Sequence, residues 1–306
     1  RFLMTFSFWQ SLIRCKNILL KPSTRRSSIR LRPDIAVQYH SDLCYAPALI
    51  AAHGSKVTLD AYQLASISAK GTVIFLHGGG LRRGSKRHIL GKDLYFNHLG
   101  YNFLSCNYPL SAEGGGSVID DQLLALRSLD QWVNSDLPVL CPVNPSAPVI
   151  YLGHSAGSYL LALGLSKGLF SKPHTSFIFV DSAAYDLSKR YRAARQNVRL
   201  EIERLVGHDA NTTASLDELI SKYSPVECLL NSAALAPSDD KGWAYFATTL
   251  KRFSHDSSLI LASLLKTKLN MQTTVKAYPF SHTDISQEIS DPNSEIGRDL
   301  AQLLSN

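Results

Sequence analysis

Gly153-His154-Ser155-Ala156-Gly157 reads G-x-S-x-G, between the apolar run Val149-Ile150-Tyr151-Leu152 and the helix-like run Tyr159-Leu160-Leu161-Ala162-Leu163. Few patterns constrain a chain as strongly, because strand, sharp turn and helix must follow one another within a few residues. Such a turn forces its middle residue into a strained backbone conformation and lifts that side chain clear of the sheet. A Cβ two residues to either side would clash across the turn, so both flanking positions are glycine. Ser155 is thereby predicted to be an exposed hydroxyl at a helix N-terminus, a candidate nucleophile.

A second signal lies upstream. Thr72-Val73-Ile74-Phe75-Leu76 is a continuous apolar run of strand length and ends in His77-Gly78-Gly79-Gly80. An unbroken run fits a strand buried on both faces of a parallel sheet. Glycines directly after it let backbone N–H groups turn into a cavity, where they can hold the oxygen that becomes negative as an acyl carbon turns tetrahedral. A plain glycine turn or a phosphate cradle are the other readings, but no G-K-[ST] follows to make a P-loop. The next residues, Leu81-Arg82-Arg83-Gly84-Ser85-Lys86-Arg87-His88, are dense in positive charge. They suit an acidic substrate group or a solvated loop.

Around these signals strands and helices alternate. Residues 34–70 read as an antiparallel hairpin of two period-two segments. Helical patterns near 89–99 and from Val118 to Val133 flank a strand at Tyr101–Cys106, and Phe177–Val180 is a further buried strand. The class is α/β.

Composition excludes several functions. No window of 18 residues is continuously apolar. The chain's net charge is +7, but residues 1–33 carry eight Lys and Arg and no Asp or Glu, so the remainder carries −1. A nearly neutral body without a basic stripe argues against nucleic acid. The acid-free start places Phe2, Phe6, Trp9 and Ile13 at helical spacing among basic residues. It reads as a mitochondrial-type presequence, a membrane-surface helix giving peripheral membrane contact, a helix over a cleft, or a packing arm. Cys15, Cys44, Cys106, Cys141 and Cys228 are odd in number, widely spaced and without C-x-x-C. That favours reduced thiols and an intracellular setting, cytoplasmic or mitochondrial. No metal-ligand spacing such as H-E-x-x-H occurs.

The H-G-G-G after a strand, the segment Tyr108-Pro109-Leu110-Ser111-Ala112-Glu113, the Asp120-Asp121 helix start running to Trp132, and G-H-S-A-G together resemble the hormone-sensitive-lipase-type branch of the α/β-hydrolases. The resemblance is firm over about residues 57–187 and looser to 290. It implies an α/β-hydrolase fold: a mostly parallel eight-stranded sheet with helices on both faces and a small helical cap. It also implies a Ser-Asp-His triad in that chain order and no cofactor. By position, its oxyanion donors fall on the backbone N–H groups of Gly79, Gly80 and Ala156. On this reading residues 34–306 form the hydrolase domain after the basic arm of 1–33, and the charged, helical stretch 187–222 is the cap.

The base is expected at His282, after the strand-like Thr274–Tyr278 and Pro279, in a segment resembling the branch's Tyr-Pro-x-x-x-His. His154 is expected to be structural, since its side chain points away from the site in such a turn. The resemblance places the acid a few residues after a strand and some 25–35 residues before the base. With Trp243–Leu250 as that strand, the choice falls on Asp256, 26 residues before His282. Asp239 and Asp240 precede the strand, and Asp284 lies too close to the base. The expected activity is hydrolysis of a small-molecule carboxylic ester through an acyl-enzyme. An arylformamidase-like amide hydrolase and a catalytically impaired ligand-binding homologue are the alternatives.

Overall fold

The computed structural model describes residues 35–305 except 66–67, 112–117, 142–143, 145, 173, 210 and 233–241. The basic arm, Asp239 and Asp240, and the Ala112-Glu113 pair therefore lie outside the described residues. The strands are β1 (Val37–Cys44), β2 (Thr58–Leu64), β3 (Gly71–Leu76), β4 (Tyr101–Cys106), β5 (Val149–His154), β6 (Ser176–Val180), β7 (Trp243–Thr249) and β8 (Gln272–Tyr278). They form one sheet in the order β1-β2-β4-β3-β5-β6-β7-β8. β1, β2 and β4 pair antiparallel, and every other neighbouring pair is parallel. This is the mostly parallel eight-stranded sheet that the resemblance implies.

Helices follow as α1 (Ile50–His53), α2 (Lys92–His98), α3 (Ile119–Ser135), α4 (Leu137–Leu140), α5 (Ala156–Ser166), α6 (Leu187–Ala193), α7 (Gln196–Val206), α8 (Leu216–Tyr223), α9 (Pro225–Asn231), α10 (Arg252–Leu269), α11 (Asp284–Glu288) and α12 (Glu295–Leu303). The continuous apolar runs are explained by two cores, one on each face of the sheet. Ile74, Leu76, Tyr151, Phe177 and Phe179 point to one, where α3, α5, α9 and α10 pack. Val73, Phe75, Ile150, Leu152 and Ile178 point to the other, against Tyr95 and Phe96 of α2, Ile285 of α11, and Ile296 and Leu300 of α12. A strand covered on both faces has no polar side to show, so alternation disappears. The stretch 187–222 holds α6, α7 and most of α8. Its last residue, Lys222, and the adjoining Tyr223 tie it to the start of α3, with Lys222 Nζ and Tyr223 Oη both donating to Asp120.

The chain enters the sheet's centre at β3, leaves to one side for β4, then crosses to the other side for β5. The strand order thus reverses between β3 and β5, and ligands of open α/β sheets bind beyond the carboxyl ends of strands at such a point. Leu76 pairs with Gly153 and His154 with Val180, so the tips of β3, β5 and β6 lie side by side there.

Candidate active site

Ser155 has φ 54° and ψ −112°, a left-handed conformation unusual for a non-glycine residue, and occupies the N-cap of α5. The packing that imposes it is severe. A Cβ on Gly157 would stand 2.2 Å from the carbonyl oxygen of Leu76, and one on Gly153 would stand 2.6 Å from the N of Ser158. Strain of this kind costs about 1–3 kcal/mol and persists only where surroundings over-determine it. The outcome is a hydroxyl raised above the tip of β5.

His282 lies on the loop between β8 and α11. Its Nε2 is 2.9 Å from Ser155 Oγ, and its Nδ1 is 2.6 Å from Asp181 Oδ2. A carboxylate only accepts, so the imidazole proton sits on Nδ1 and the Nε2 lone pair accepts the serine hydroxyl.

The carboxylate in contact with His282 is therefore Asp181, and not the Asp256 predicted from sequence. Asp256 is in α10, one turn past its start, where its carboxylate lies 3.6 Å from the exposed Arg252 guanidinium. It lines a small cleft with Asp186, Lys189, Arg190 and Phe253. Asp284 is engaged by Ser281, whose hydroxyl donates to it at 2.6 Å. The expected strand is present as β7, but its tip supplies donors instead of the acid. Thr249 N–H (2.9 Å), Thr249 Oγ1 (3.0 Å) and Ser254 Oγ all donate to Asp181 Oδ1. Asp181 is 2% exposed and directly follows β6 with φ 41°. Burial pushes its pKa up, but the hydrogen bonds from His282, Ser254 and Thr249 and the nearby imidazole outweigh that and hold it at about 2. The signal that could have found it was an Asp at the end of a fully buried strand.

The glycine loop stands beside Ser155. A Cβ on Gly78 would come within 3.2 Å of Ser155 Cβ. The loop is fixed from behind: Tyr108 Oη donates to the His77 carbonyl at 2.7 Å, the His77 ring stacks on Tyr108, and Ser111 N–H donates to the Leu81 carbonyl. This is the work of the Tyr-Pro-Leu-Ser segment. Gly79 has φ 125° and Gly80 φ 65°, both accessible to glycine. Among the described residues no acceptor takes the N–H of Gly79, Gly80 or Ala156.

The basic run after the loop divides. Arg82, Arg83, Arg87 and His88 are exposed, but Lys86 is buried and pairs with Asp60 and with Asp42 (2.6 Å). It is neither a solvated residue nor a free charge for a substrate. Among the described residues no cluster of His, Cys, Asp and Glu could hold a metal ion, Cys44, Cys106, Cys141 and Cys228 are free thiols, and no helix is long and apolar enough to cross a membrane.

No family model and no curated protein matches the sequence. Solved structures do match in shape. Esterase B from Lactobacillus rhamnosis, inhibited by a tributyrin phosphonate, superposes with a TM-score of 0.64 at 17% identity, over 88% of this chain and 85% of that one. A carbohydrate esterase from gut microbiota gives 0.65 at 14% identity, over 87% and 95%. The hyperthermophilic esterase of Pyrobaculum calidifontis gives 0.55 at 17% identity, over 81% and 79%. With this sheet order and these neighbours, the chain has the α/β-hydrolase fold.

Proposed function

We propose that this chain is a serine hydrolase of carboxylic esters, of the hormone-sensitive-lipase-type branch, with Ser155, His282 and Asp181 as its triad. One observation carries the reading: an unbroken run of hydrogen bonds from Asp181 through His282 to Ser155, beside a glycine loop whose Gly79 and Gly80 N–H groups meet no acceptor among the described residues. His282 Nε2 takes the Ser155 proton as Oγ attacks the ester carbonyl. The N–H groups of Gly79, Gly80 and Ala156 hold the oxyanion, and the last lies at the N-terminus of α5, where the helix dipole favours negative charge. His282 then gives the proton to the departing alcohol. Water, activated by the same imidazole, releases the acid from the acyl-enzyme. Asp181 fixes the tautomer and stabilises the imidazolium. The contact between Asp181 and His282 supports the catalytic reading over a ligand-binding homologue.

Labelling with a fluorophosphonate probe tests the proposal. Wild type is expected to label and to hydrolyse p-nitrophenyl esters, and Ser155→Ala to do neither. An unlabelled, folded wild type overturns it. Aryl esters of graded acyl length and a formamide substrate then define the substrate class.

A further inference from the structure

We infer that His154, the residue before the nucleophile, is a positioning residue that locks the backbone of the base to the nucleophile turn. The inference rests on the serine-hydrolase reading above. His154 Nε2 lies 3.0 Å from the carbonyl oxygen of His282. A carbonyl only accepts, so His154 carries its proton on Nε2 and donates. Its other ring nitrogen faces the glycine loop, where a Cβ on Gly78 would stand 2.8 Å from Nδ1.

The connections close a ring. His154 is bonded to Ser155 through the chain, Ser155 Oγ meets His282 Nε2, and the His282 carbonyl returns to the His154 imidazole. His282 is thus held at three points: Nδ1 by Asp181, Nε2 by Ser155 and its backbone by His154. The third matters because the His282 side chain is 42% exposed and sits on a loop. Side-chain bonds fix the ring only as well as its backbone is fixed, and a displacement of about 1 Å at a reacting group can cost about a hundredfold in rate. The element after the loop is anchored separately, by Lys92 Nζ donating to the Ser286 carbonyl at 2.5 Å. His154 is the tie at the base itself.

The arrangement also needs His154 to stay neutral. Its ring centroid is 5.0 Å from that of His282. A second cation there would oppose the imidazolium that forms during each turnover. Burial pushes the His154 pKa down to about 4; the Asp181 charge and the bond to the His282 carbonyl act the other way, and the charges of His282 and Lys92 add to the lowering. The site therefore contains two adjacent, mutually tilted imidazoles with divided tasks, one that exchanges a proton with Ser155 in the proposed reaction and one a fixed donor.

Two measurements test this on the full chain. In wild type, nitrogen–proton correlation spectra of the imidazoles are expected to show His154 as the Nε2-protonated tautomer, unchanged from pH 8 to 5. A Nδ1-protonated ring, or one that titrates in that range, overturns the inference. In variants, His154→Leu is expected to lose about 10- to 100-fold in kcat with KM changed by less than about threefold, and to lose the downfield Nδ1–H resonance of His282. His154→Gln keeps an N–H donor and is expected to recover kcat to within about fivefold of wild type. Equal losses in both, with thermal unfolding lowered equally, would mean that His154 only packs. Should the leucine variant not fold, the glutamine variant and the wild-type spectra decide alone. Failure of wild type to label with fluorophosphonate would instead remove the serine-hydrolase reading, whatever the His154 tautomer.

Discussion

Two buried aspartates lie near the candidate site, one holding the segment after the glycine loop and one at His282, and they are paired differently. Asp60 in β2 and Asp181 after β6 are each 2% exposed. Both obey the rule that a buried charge must be paired and hydrogen-bonded. Asp60 accepts from Tyr39 Oη (3.1 Å), from Asp42 N–H (2.9 Å) and from the Lys86 ammonium. Asp181 accepts from three neutral donors on one oxygen and from an imidazole on the other. An ammonium keeps its charge across the neutral range, whereas an imidazole changes its charge within it. The first pairing can only lock, here the loop that follows Gly80 to the β1–β2 hairpin. In the proposed mechanism the second stabilises the charge that His282 gains when it takes the Ser155 proton. The partner, more than the burial, distinguishes a carboxylate that locks the fold from one that fits the proposed triad.

The comparison breaks most sharply at Asp181. Asp181→Asn keeps the shape but favours the wrong His282 tautomer, and kcat on an aryl ester is expected to fall by about 10³–10⁴-fold, as for the equivalent change in serine proteases. The circular dichroism spectrum should stay native. A variant that keeps more than a tenth of wild-type kcat would put the working acid elsewhere.

Lys86→Met is the counterpart. It strands Asp60 without its cation, and removing one partner of a buried pair costs about 3–5 kcal/mol. Urea unfolding should show that loss, while kcat of the protein that remains folded falls far less than in Asp181→Asn. A loss below about 1 kcal/mol would mean that the pair is not the lock described here.

The uneven legibility of the sequence follows the same division. Ser155, the loop at Gly78–Gly80 and the segment reaching His282 are local signals, because turn geometry and strand ends dictate their residues within a few positions. The two-sided apolar runs likewise announced a parallel sheet. Pairings across the sheet had no such signal. Asp181 stands 101 residues before its histidine. It reaches it because β6 lies between β5 and β7 in the sheet, a matter of strand order that no spacing reveals. Asp256 had the expected spacing, but α10 begins at Arg252 and carries it past the strand tip. Lys86 was one cation among several in a basic run. Its burial depends on Asp60, 26 residues earlier in β2.

Acid titration sharpens the contrast by a smaller amount. Asp181 has a folded pKa of about 2 against an ordinary value of 3.8. A depressed carboxylate pKa means that the folded state binds the proton less well than the unfolded state. The stabilisation is therefore complete above about pH 4 and is lost as pH falls through about 2, an effect of roughly 2 kcal/mol. Urea unfolding between pH 5 and 2 should show a steeper decline in wild type than in Asp181→Asn. Parallel declines would mean that the carboxylate is not held down by its donors.

The smallest effects separate two residues of one helix turn. Ser254 and Asp256 both lie at the start of α10, but only Ser254 touches Asp181, donating to the oxygen that faces away from His282. Ser254→Ala leaves that oxygen with the N–H and hydroxyl of Thr249, so the acid stays in place with one donor fewer. A hydrogen bond to a charged group contributes about 1.5–3 kcal/mol, and stability should fall within that range while kcat drops by no more than about tenfold. Asp256→Asn removes only an ion pair with a guanidinium that is 91% exposed, a contact of about 0–1 kcal/mol, and kcat should stay within about twofold of wild type. If the ranking reversed, with Asp256→Asn the more damaging, the helix would be presenting its acid to His282 in solution, and the division of labour between the tips of β6 and β7 would have to be exchanged.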